Sequence, residues 1–105
     1  MRPIHLARID KTRPVVVLTR ARARDAMATV TVAPITSTVR GLSTEVLVGR
    51  RNGLDHESAI SCDNVTSIPA RDLGRHLGYL LHDQEIELAV ALVNAFDLQM
   101  EELEQ

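Results

Sequence analysis

The order of the predicted elements indicates a mainly β fold with some α, a small, strongly curved antiparallel barrel or sandwich that packs one helix at its end. Runs rich in β-branched residues fill the first two thirds of the sequence, and helical periodicity is clearest near the C terminus. No crossover helices separate successive strands, which argues against a parallel α/β sheet. At 105 residues, the chain fits a single domain over 1–105.

Two short strands are predicted at the start of the chain. Residues 4–9 are mostly apolar and predict the first strand, and residues 10–12 make a tight polar connection. Residues 14–19 form a continuous run rich in valine, which is typical of a strand that is buried on both faces. Pro14 opens this run, at a position where a missing N–H is tolerated.

The next segment is rich in arginine and alanine over residues 20–28 and predicts a short helical turn or a basic loop. Residues 29–36 are a second strong β segment, in which Pro34 indicates a sheet edge or a bulge. Residues 37–43 contain Gly41 and are expected to form a mobile loop.

Three further short strands are predicted in the middle of the chain, at residues 44–48, 58–62 and 65–68. The dipeptide Asn52-Gly53 between the first two is a strong turn signal.

A short helix is predicted after Pro69, starting at residues 70–73. Three leucines recur there at helical spacing, namely Leu73, Leu77 and Leu80. Two glycines in the same stretch, Gly74 and Gly78, lower its helical propensity.

The last element is predicted as a helix over residues 84–96, with Asp83 as its N-cap. Its predicted apolar face consists of Ile86, Ala89, Val90, Val93 and Phe96. The acidic tail at about 99–105 is expected to fray.

Composition and charge argue against two kinds of nucleic-acid binder. The net charge is −2 and aromatic residues make up only 2% of the chain, so neither a generally basic binder nor an aromatic platform for stacking bases is expected. The charges are uneven, because arginines concentrate before residue 52 and glutamates near the end. This asymmetry indicates a face that meets a polyanion, and solvated surface charge explains it equally well.

The sequence predicts neither a metal site nor a cofactor. Four histidines lack the paired spacing of metal ligands, namely His5, His56, His76 and His82. The single cysteine, Cys62, ends an apolar strand and is expected in the core rather than as a nucleophile. A lone cysteine indicates a reducing, cytoplasmic setting. No apolar run predicts a signal peptide or a membrane span, so no membrane partner is expected.

Four short segments, in a fixed order, resemble the motifs of one toxin family. Residues 12–18 read T-R-P-V-V-V-L, and residues 30–37 read V-T-V-A-P-I-T-S. Gly53-Leu54 and residues 58–65, with the sequence S-A-I-S-C-D-N-V, follow them. Together they resemble the MazF/PemK family of toxin endoribonucleases, in which an R-P-hydrophobic strand precedes a V-x-P-[IVC]-T-[ST] strand. The likeness is strongest to mycobacterial-type members and covers nearly the whole chain.

Three departures from the family pattern stand out. The start reads R-P-I-H at residues 2–5 instead of R-G-[DE]-[IV]-[WY], and the first inter-strand loop is reduced to residues 10–12. Thr66 stands where members usually carry an arginine. Because that loop often helps to cover the RNA, its shortening bears on how substrate is held.

The resemblance implies an SH3-like antiparallel barrel of the MazF/CcdB type with a C-terminal helix. It implies metal-independent cleavage of single-stranded RNA at short sequence motifs, with Arg13 and Thr36 as catalytic residues and 2′,3′-cyclic phosphate and 5′-hydroxyl ends as products. It also implies a homodimer, and a MazE-like antitoxin whose disordered acidic tail threads the dimer groove. Further candidates for RNA contact are Ser37, Thr38, Arg40, Arg20 and Arg22.

The chemistry of an arginine agrees with this role. Attack by a ribose 2′-OH builds negative charge on the phosphate oxygens, and a planar, permanently charged guanidinium suits that charge. Arg13 can act as an electrostatic clamp or as the proton donor to the leaving oxygen. Thr36 can orient the phosphate through its hydroxyl or its backbone N–H.

The residues alone leave other interpretations open. Arg13 can equally be an ordinary surface arginine that precedes a strand. Thr36 can simply end a strand, where threonine is common. A gyrase-poisoning toxin of the same fold, a protein binder without catalysis, is the alternative function. A third alternative is an inactive barrel that only binds RNA or serves as a scaffold.

Overall fold

The computed structural model describes residues 1–99, so residues 100–105, which hold most of the acidic tail predicted to fray, lie outside the described residues. The strands are β1 (Pro3–Arg8), β2 (Thr12–Val17), β3 (Thr29–Thr36), β4 (Glu45–Val48), β5 (Ser58–Ser61), β6 (Thr66–Pro69) and β7 (Leu73–Tyr79). The helices are α1 (Ala21–Arg24) and α2 (His82–Phe96), and three-residue 3₁₀ turns lie at Arg50–Asn52, Cys62–Asn64 and Ala70–Asp72.

The strands form one curled antiparallel sheet in the order β4-β5-β3-β2-β1-β7, and β6 pairs with β3 beside this path. Each strand pairing is antiparallel, and α2 packs against β4. This half-barrel with a C-terminal helix confirms the predicted fold class. Of the two alternatives predicted for residues 20–28, a short helical turn or a basic loop, the helical turn forms, as α1.

The sheet is packed on both of its faces. Val16 lies opposite Ala33 and faces the larger core, which also contains Leu88 of α2. Val15 and Val17 point to the other face, into a second core. All three valines of β2 are fully buried, and each such burial contributes about 1.5–3 kcal/mol. The valine run was therefore correctly interpreted as a strand buried on both sides.

Pro34 marks the point at which β3 changes partners. Residues 29–32 of β3 pair with β6, whereas Ile35 and Thr36 pair with β5. A proline has no N–H to donate to a neighbouring strand, so it is tolerated between the last pair of the β3–β6 ladder and the first pair of the β3–β5 ladder. The sheet edge predicted at Pro34 is wrong, because β3 lies inside the sheet between β5 and β2, and the chain changes partner there from β6 to β5.

The helix predicted from residue 70 onward is wrong. Only a 3₁₀ turn forms at Ala70–Asp72, and the chain then continues as strand β7 along the open edge of β1. Close backbone approach explains one of the glycines, because a Cβ at Gly78 would lie 2.2 Å from the carbonyl oxygen of Asn52. Residues 73–79 form a strand because they pair with β1, a distant part of the chain, and the local spacing of the leucines carries no information about that pairing.

The predicted apolar face of α2 is also wrong. The helix buries Leu88 and Ala91 against the sheet, together with the polar Gln84. Three residues of the predicted apolar face are exposed to solvent instead: Ile86 is 57% exposed, and Val90 and Phe96 are exposed to a similar extent. Helix α2 therefore contacts the rest of the protein through the face that carries Gln84, Leu88 and Ala91, and not through the predicted face.

Asp83 does not cap α2 as predicted, because the helix begins at His82 and the residue before it is Leu81. The Leu81 N–H donates instead to the side-chain oxygen of Gln84, at 3.0 Å. The Asp83 carboxylate accepts a hydrogen bond from Arg51 at 3.0 Å, which lowers the pKa of Asp83.

Candidate active site

Arg13 and Thr36 lie side by side at the ends of neighbouring strands. In the β2–β3 ladder Val15 stands opposite Pro34, and Arg13 and Thr36 each lie two residues beyond this pair, one on each strand. The two residues that the family resemblance predicted to be catalytic therefore end neighbouring strands and line the same two cavities.

An ion pair with Asp10, made through a single guanidinium nitrogen, orients Arg13. Its Nη2 lies 2.9 Å from Oδ1 and 3.1 Å from Oδ2 of Asp10, in the tight connection between β1 and β2. The Nε of Arg13 is buried and has no hydrogen-bond partner among the described residues. An unpaired buried donor is rare and calls for a partner. Arg13 thus has one guanidinium N–H that no described residue satisfies.

The charge state of Asp10 suits this orienting role. Backbone N–H groups of Asp10 and Lys11 lower its pKa, and the nearby cations of Arg13 and Lys11 lower it further. The Lys11 N–H donates to Oδ1 at 2.9 Å. Asp10 is therefore ionised at neutral pH and is a weak proton acceptor.

Thr36 begins the turn that leads out of β3. Its Oγ1 accepts a hydrogen bond from the Thr38 N–H at 3.1 Å, so its own O–H hydrogen is free to donate elsewhere. Ser37 and Thr38 follow directly and are exposed.

The loop of residues 37–43 is shaped by one carboxylate. Oε1 of Glu45 accepts the N–H of Arg40 at 3.2 Å and the N–H of Leu42 at 3.1 Å. Gly41 between them has φ of +74°, which favours glycine. Because Glu45 holds this loop, the Arg40 side chain lines the same cavity as Arg13.

Two cavities meet at the Arg13–Thr36 pair, and both residues line each of them. The larger, of about 750 Å³, is here called the carboxylate-rich cavity, since three carboxylates and two arginines line it: Asp10, Glu45, Asp63, Arg13 and Arg40. The smaller, of about 310 Å³, is called the cationic cavity, since three cations and one carboxylate line it: Lys11, Arg13, Arg75 and Asp55. The pair thus stands at the boundary between two sites of different charge.

The chain is similar to known toxins over most of its length. The family model of the PemK-like, MazF-like toxin of type II toxin–antitoxin systems matches residues 3–96. The chain belongs to this family. The curated "Endoribonuclease MazF3" of Mycobacterium tuberculosis is 60% identical over 98 residues, which cover 93% of this chain and 95% of that protein.

Solved structures agree in fold. "Mycobacterium tuberculosis toxin MazF-mt6" is 59% identical, with a TM-score of 0.91 over 93% of this chain and 99% of that one. An "Endoribonuclease in complex with its cognate antitoxin from Mycobacterial species" is 20% identical, with a TM-score of 0.83 over 92% of this chain and 93% of that one, and it supports the fold alone. The MazF/PemK resemblance that the motifs predicted is confirmed.

Within this MazF-like toxin, the predicted RNA contacts divide into two groups. Thr38 and Arg40 line the carboxylate-rich cavity, and Ser37 lines the cationic cavity. Arg20 and Arg22 lie at and within α1, which joins the opposite ends of β2 and β3, and neither lines the two cavities. The structure does not bring these two arginines to the Arg13–Thr36 pair, and their contact with RNA stays a prediction.

Sequence reasoning missed several residues of the two cavities. Asp10 could have been found from its position three residues before Arg13 in a tight connection. Asp63 could have been found as the acidic member of the Cys62-Asp63-Asn64 motif. Arg75 had no such signal, because its strand was predicted as a helix.

The remaining chemical groups offer no rival centre among residues 1–99. No three His, Cys, Asp or Glu side chains in that range are grouped to hold a metal ion. Burial raises the pKa of the Cys62 thiol to about 11, and Asp63 adds to the shift. The thiol is therefore protonated at neutral pH and a poor nucleophile. Neither helix of the described part of the chain is long and apolar enough to cross a bilayer.

Proposed function

We propose that this protein is the toxin of a type II toxin–antitoxin pair, a sequence-specific endoribonuclease that cleaves single-stranded RNA without a metal ion. The observation that carries the proposal is the Arg13–Thr36 pair, which lies at the ends of neighbouring strands and lines both cavities. Family membership and 60% identity to a protein named as an endoribonuclease support it.

The proposed reaction is an internal transfer at phosphorus. The ribose 2′-oxygen bonds to the adjacent phosphorus and gives up its proton, while the bond from phosphorus to the 5′-oxygen breaks. The leaving 5′-oxygen takes up a proton, which leaves a 2′,3′-cyclic phosphate on one fragment and a 5′-hydroxyl on the other. Since the nucleophile is part of the substrate, the protein's task is to position the phosphate and to stabilise charge.

Arg13 supplies that charge stabilisation in this proposal. Its guanidinium, oriented through Nη2 by Asp10, directs its remaining donors to the phosphate oxygens. Negative charge grows on those oxygens in the transition state, so a preorganised cation there lowers the barrier more than it tightens ground-state binding. Donation of a proton to the leaving oxygen is a second role open to the same side chain.

Thr36 orients the phosphate beside the guanidinium. Because its oxygen already accepts from the Thr38 N–H, its hydroxyl hydrogen can donate to a non-bridging phosphate oxygen. Ser37 and Thr38 extend this polar edge, and Arg40 adds a second cation in the carboxylate-rich cavity.

The proposed partners follow from the family. A type II toxin has a protein antitoxin, here MazE-like with a disordered acidic tail, and we infer that the toxin acts as a homodimer in the cytoplasm. A disordered segment can cover a large surface when it folds on binding. A buried cysteine that is reduced agrees with a cytoplasmic setting.

Cleavage of a long single-stranded RNA in excess EDTA tests the function. We expect the wild type to cut at a short recurring motif and to leave cyclic phosphate ends, whereas Arg13→Ala cuts at least 100-fold more slowly. Arg71→Ala is the matched control, because Arg71 is exposed and lines neither cavity. Failure to cut any RNA, together with tight binding to gyrase, would replace this proposal with the alternative of a gyrase poison.

A further inference from the structure

The two cavities at the Arg13–Thr36 pair differ in the sign of their charge. The carboxylate-rich cavity carries three carboxylates against two arginines, and the cationic cavity carries three cations against one carboxylate. An RNA strand that places its scissile phosphate on the shared pair therefore meets opposite electrostatics on either side. Such a difference fixes where a second phosphate can lie.

The cationic cavity is assembled from separate parts of the chain. Lys11 comes from the connection between β1 and β2, and Arg75 comes from β7 on the far side of β1. Both side chains are exposed, and neither forms an ion pair with any residue in the range 1–99. Ser37, Ser58 and His56 add hydrogen-bonding groups to the wall. These are the groups that proteins use to bind a phosphodiester.

We propose that the cationic cavity is a binding site for the phosphodiester next to the scissile one on the same RNA strand, with Arg75 and Lys11 as its cationic ligands. Arg75 offers a planar fork to two phosphate oxygens, and Lys11 acts as a point charge. This inference rests on the proposed function, because it takes the scissile phosphate to lie at Arg13.

The opposite cavity is a poor site for that second phosphate. Asp63 and Glu45 would repel it, and a carboxylate oxygen that is not already bonded within the protein is an acceptor that suits the amino group of a base. The polarity of the two cavities thus assigns a phosphate to one side and a base edge to the other. An acidic peptide is the other anion that the cationic cavity could accept, and RNA binding that is insensitive to the loss of either flanking phosphate charge would favour it.

The test removes one phosphate charge at a time. The wild type first cuts a long RNA in EDTA, which locates the scissile linkage. A short RNA of that sequence, with a 2′-deoxy sugar at the attacking position, then serves as an uncleavable ligand. Two further ligands carry an uncharged methylphosphonate at the linkage on one side or the other. Dissociation constants are measured for the wild type, Arg75→Gln, Lys11→Gln and the control Arg71→Gln.

The proposal predicts that one of the two methylphosphonates weakens wild-type binding about 10-fold. Arg75→Gln weakens binding of the fully charged RNA by a similar factor, and the methylphosphonate causes little further loss in that variant. Lys11→Gln reduces the slope of the logarithm of the binding constant against the logarithm of the salt concentration by about one, which corresponds to the loss of one phosphate contact. On cleavable RNA both variants raise KM and change kcat by less than about threefold, whereas Arg71→Gln behaves as wild type.

Three outcomes would overturn the proposal. The first is that neither methylphosphonate affects wild-type binding. The second is that the methylphosphonate effect persists in full in both Arg75→Gln and Lys11→Gln, and either of these results would reassign the cavity to another ligand such as an acidic peptide. Both outcomes leave the proposed function intact if the wild type cleaves RNA. The third, a wild type that cleaves no RNA, rejects the function and this inference together.

Discussion

Asn52 and Gln84 exchange a pair of buried hydrogen bonds, in which each amide nitrogen donates to the other's oxygen, at 2.6 and 3.0 Å. Asn52 also accepts the Gly49 N–H and donates to the Tyr79 carbonyl, and Gln84 donates to the Leu47 carbonyl. This network joins the start of α2 to β4 and to the end of β7. It explains how a polar residue can occupy the buried face of the helix.

The amide pair predicts a large loss of stability in Gln84→Leu. The substitution leaves Asn52 with unpaired buried polar atoms, and we expect the free energy of unfolding to fall by about 2–4 kcal/mol. Urea denaturation measures it. Glu87→Leu on the exposed side of α2 is the control and should change stability by less than about 0.5 kcal/mol. Equal stability of the two variants would show that the network does not hold the helix in place.

Two glycine substitutions should differ in cost for a steric reason. A Cβ at Gly78 would lie 2.2 Å from the Asn52 carbonyl oxygen, whereas one at Gly41 meets nothing within 4 Å. Gly78→Ala must push backbone segments apart, so we expect it to lose more than about 2 kcal/mol. Gly41→Ala bears only the strain of a positive φ, about 1 kcal/mol. Denaturant midpoints in the reverse order would contradict the close contact at β7.

Asp10→Asn separates orientation from charge at the candidate site. Loss of the carboxylate frees the Arg13 guanidinium, so we expect kcat to fall by about tenfold while KM stays within about threefold, since a repulsive charge is also removed. The folded-state pKa of Asp10 is lowered, so the ion pair is complete above the ordinary aspartate pKa and is lost only as pH falls through the lowered value.

The ratio of wild-type to Asp10→Asn rates should therefore be constant between about pH 5 and 8. A ratio that rises steadily across this range would make Asp10 a proton acceptor in the reaction instead. Rates for both proteins on one RNA, measured in buffers of matched ionic strength, decide the matter.

Glu45→Ala is expected to alter which RNA motif is cut. The carboxylate holds the N–H groups of Arg40 and Leu42, so its loss releases the loop that lines the carboxylate-rich cavity. We expect sequencing of cleavage ends to show a broader motif, with Glu45→Gln closer to wild type because its amide oxygen still accepts. A motif unchanged in Glu45→Ala would mean that the loop does not select sequence.

Most of the fold was predictable because its signals are local. The valine run of β2, the β-branched run of β3 and the Asn52-Gly53 turn each specify their own conformation. The errors arose where contacts with distant parts of the chain determine the conformation or the buried face of an element. β7 follows the edge of β1 despite its helical leucine spacing, and α2 buries its face with Gln84 because Asn52 meets it there.

The candidate site was predictable only in part, for the same reason. Arg13 and Thr36 belong to family motifs, and both lie on strands that the sequence made recognisable and that pair with each other. Arg75 reaches the site through the unexpected strand β7, and Glu45 through backbone contacts that no motif records. Cavities depend on tertiary packing, so their charges emerge only from the assembled structure.

The central claim is that Arg13 and Thr36 act together on one phosphate, and single-turnover cleavage rates test it most directly. We expect Arg13→Gln to slow cleavage by at least about 100-fold, which is about 3 kcal/mol, and Thr36→Val to slow it by at least about tenfold. The double variant should be little slower than Arg13→Gln alone, because groups that act as a unit are not additive. Cleavage by Arg13→Gln within threefold of wild type, with both proteins equally folded, would contradict the account.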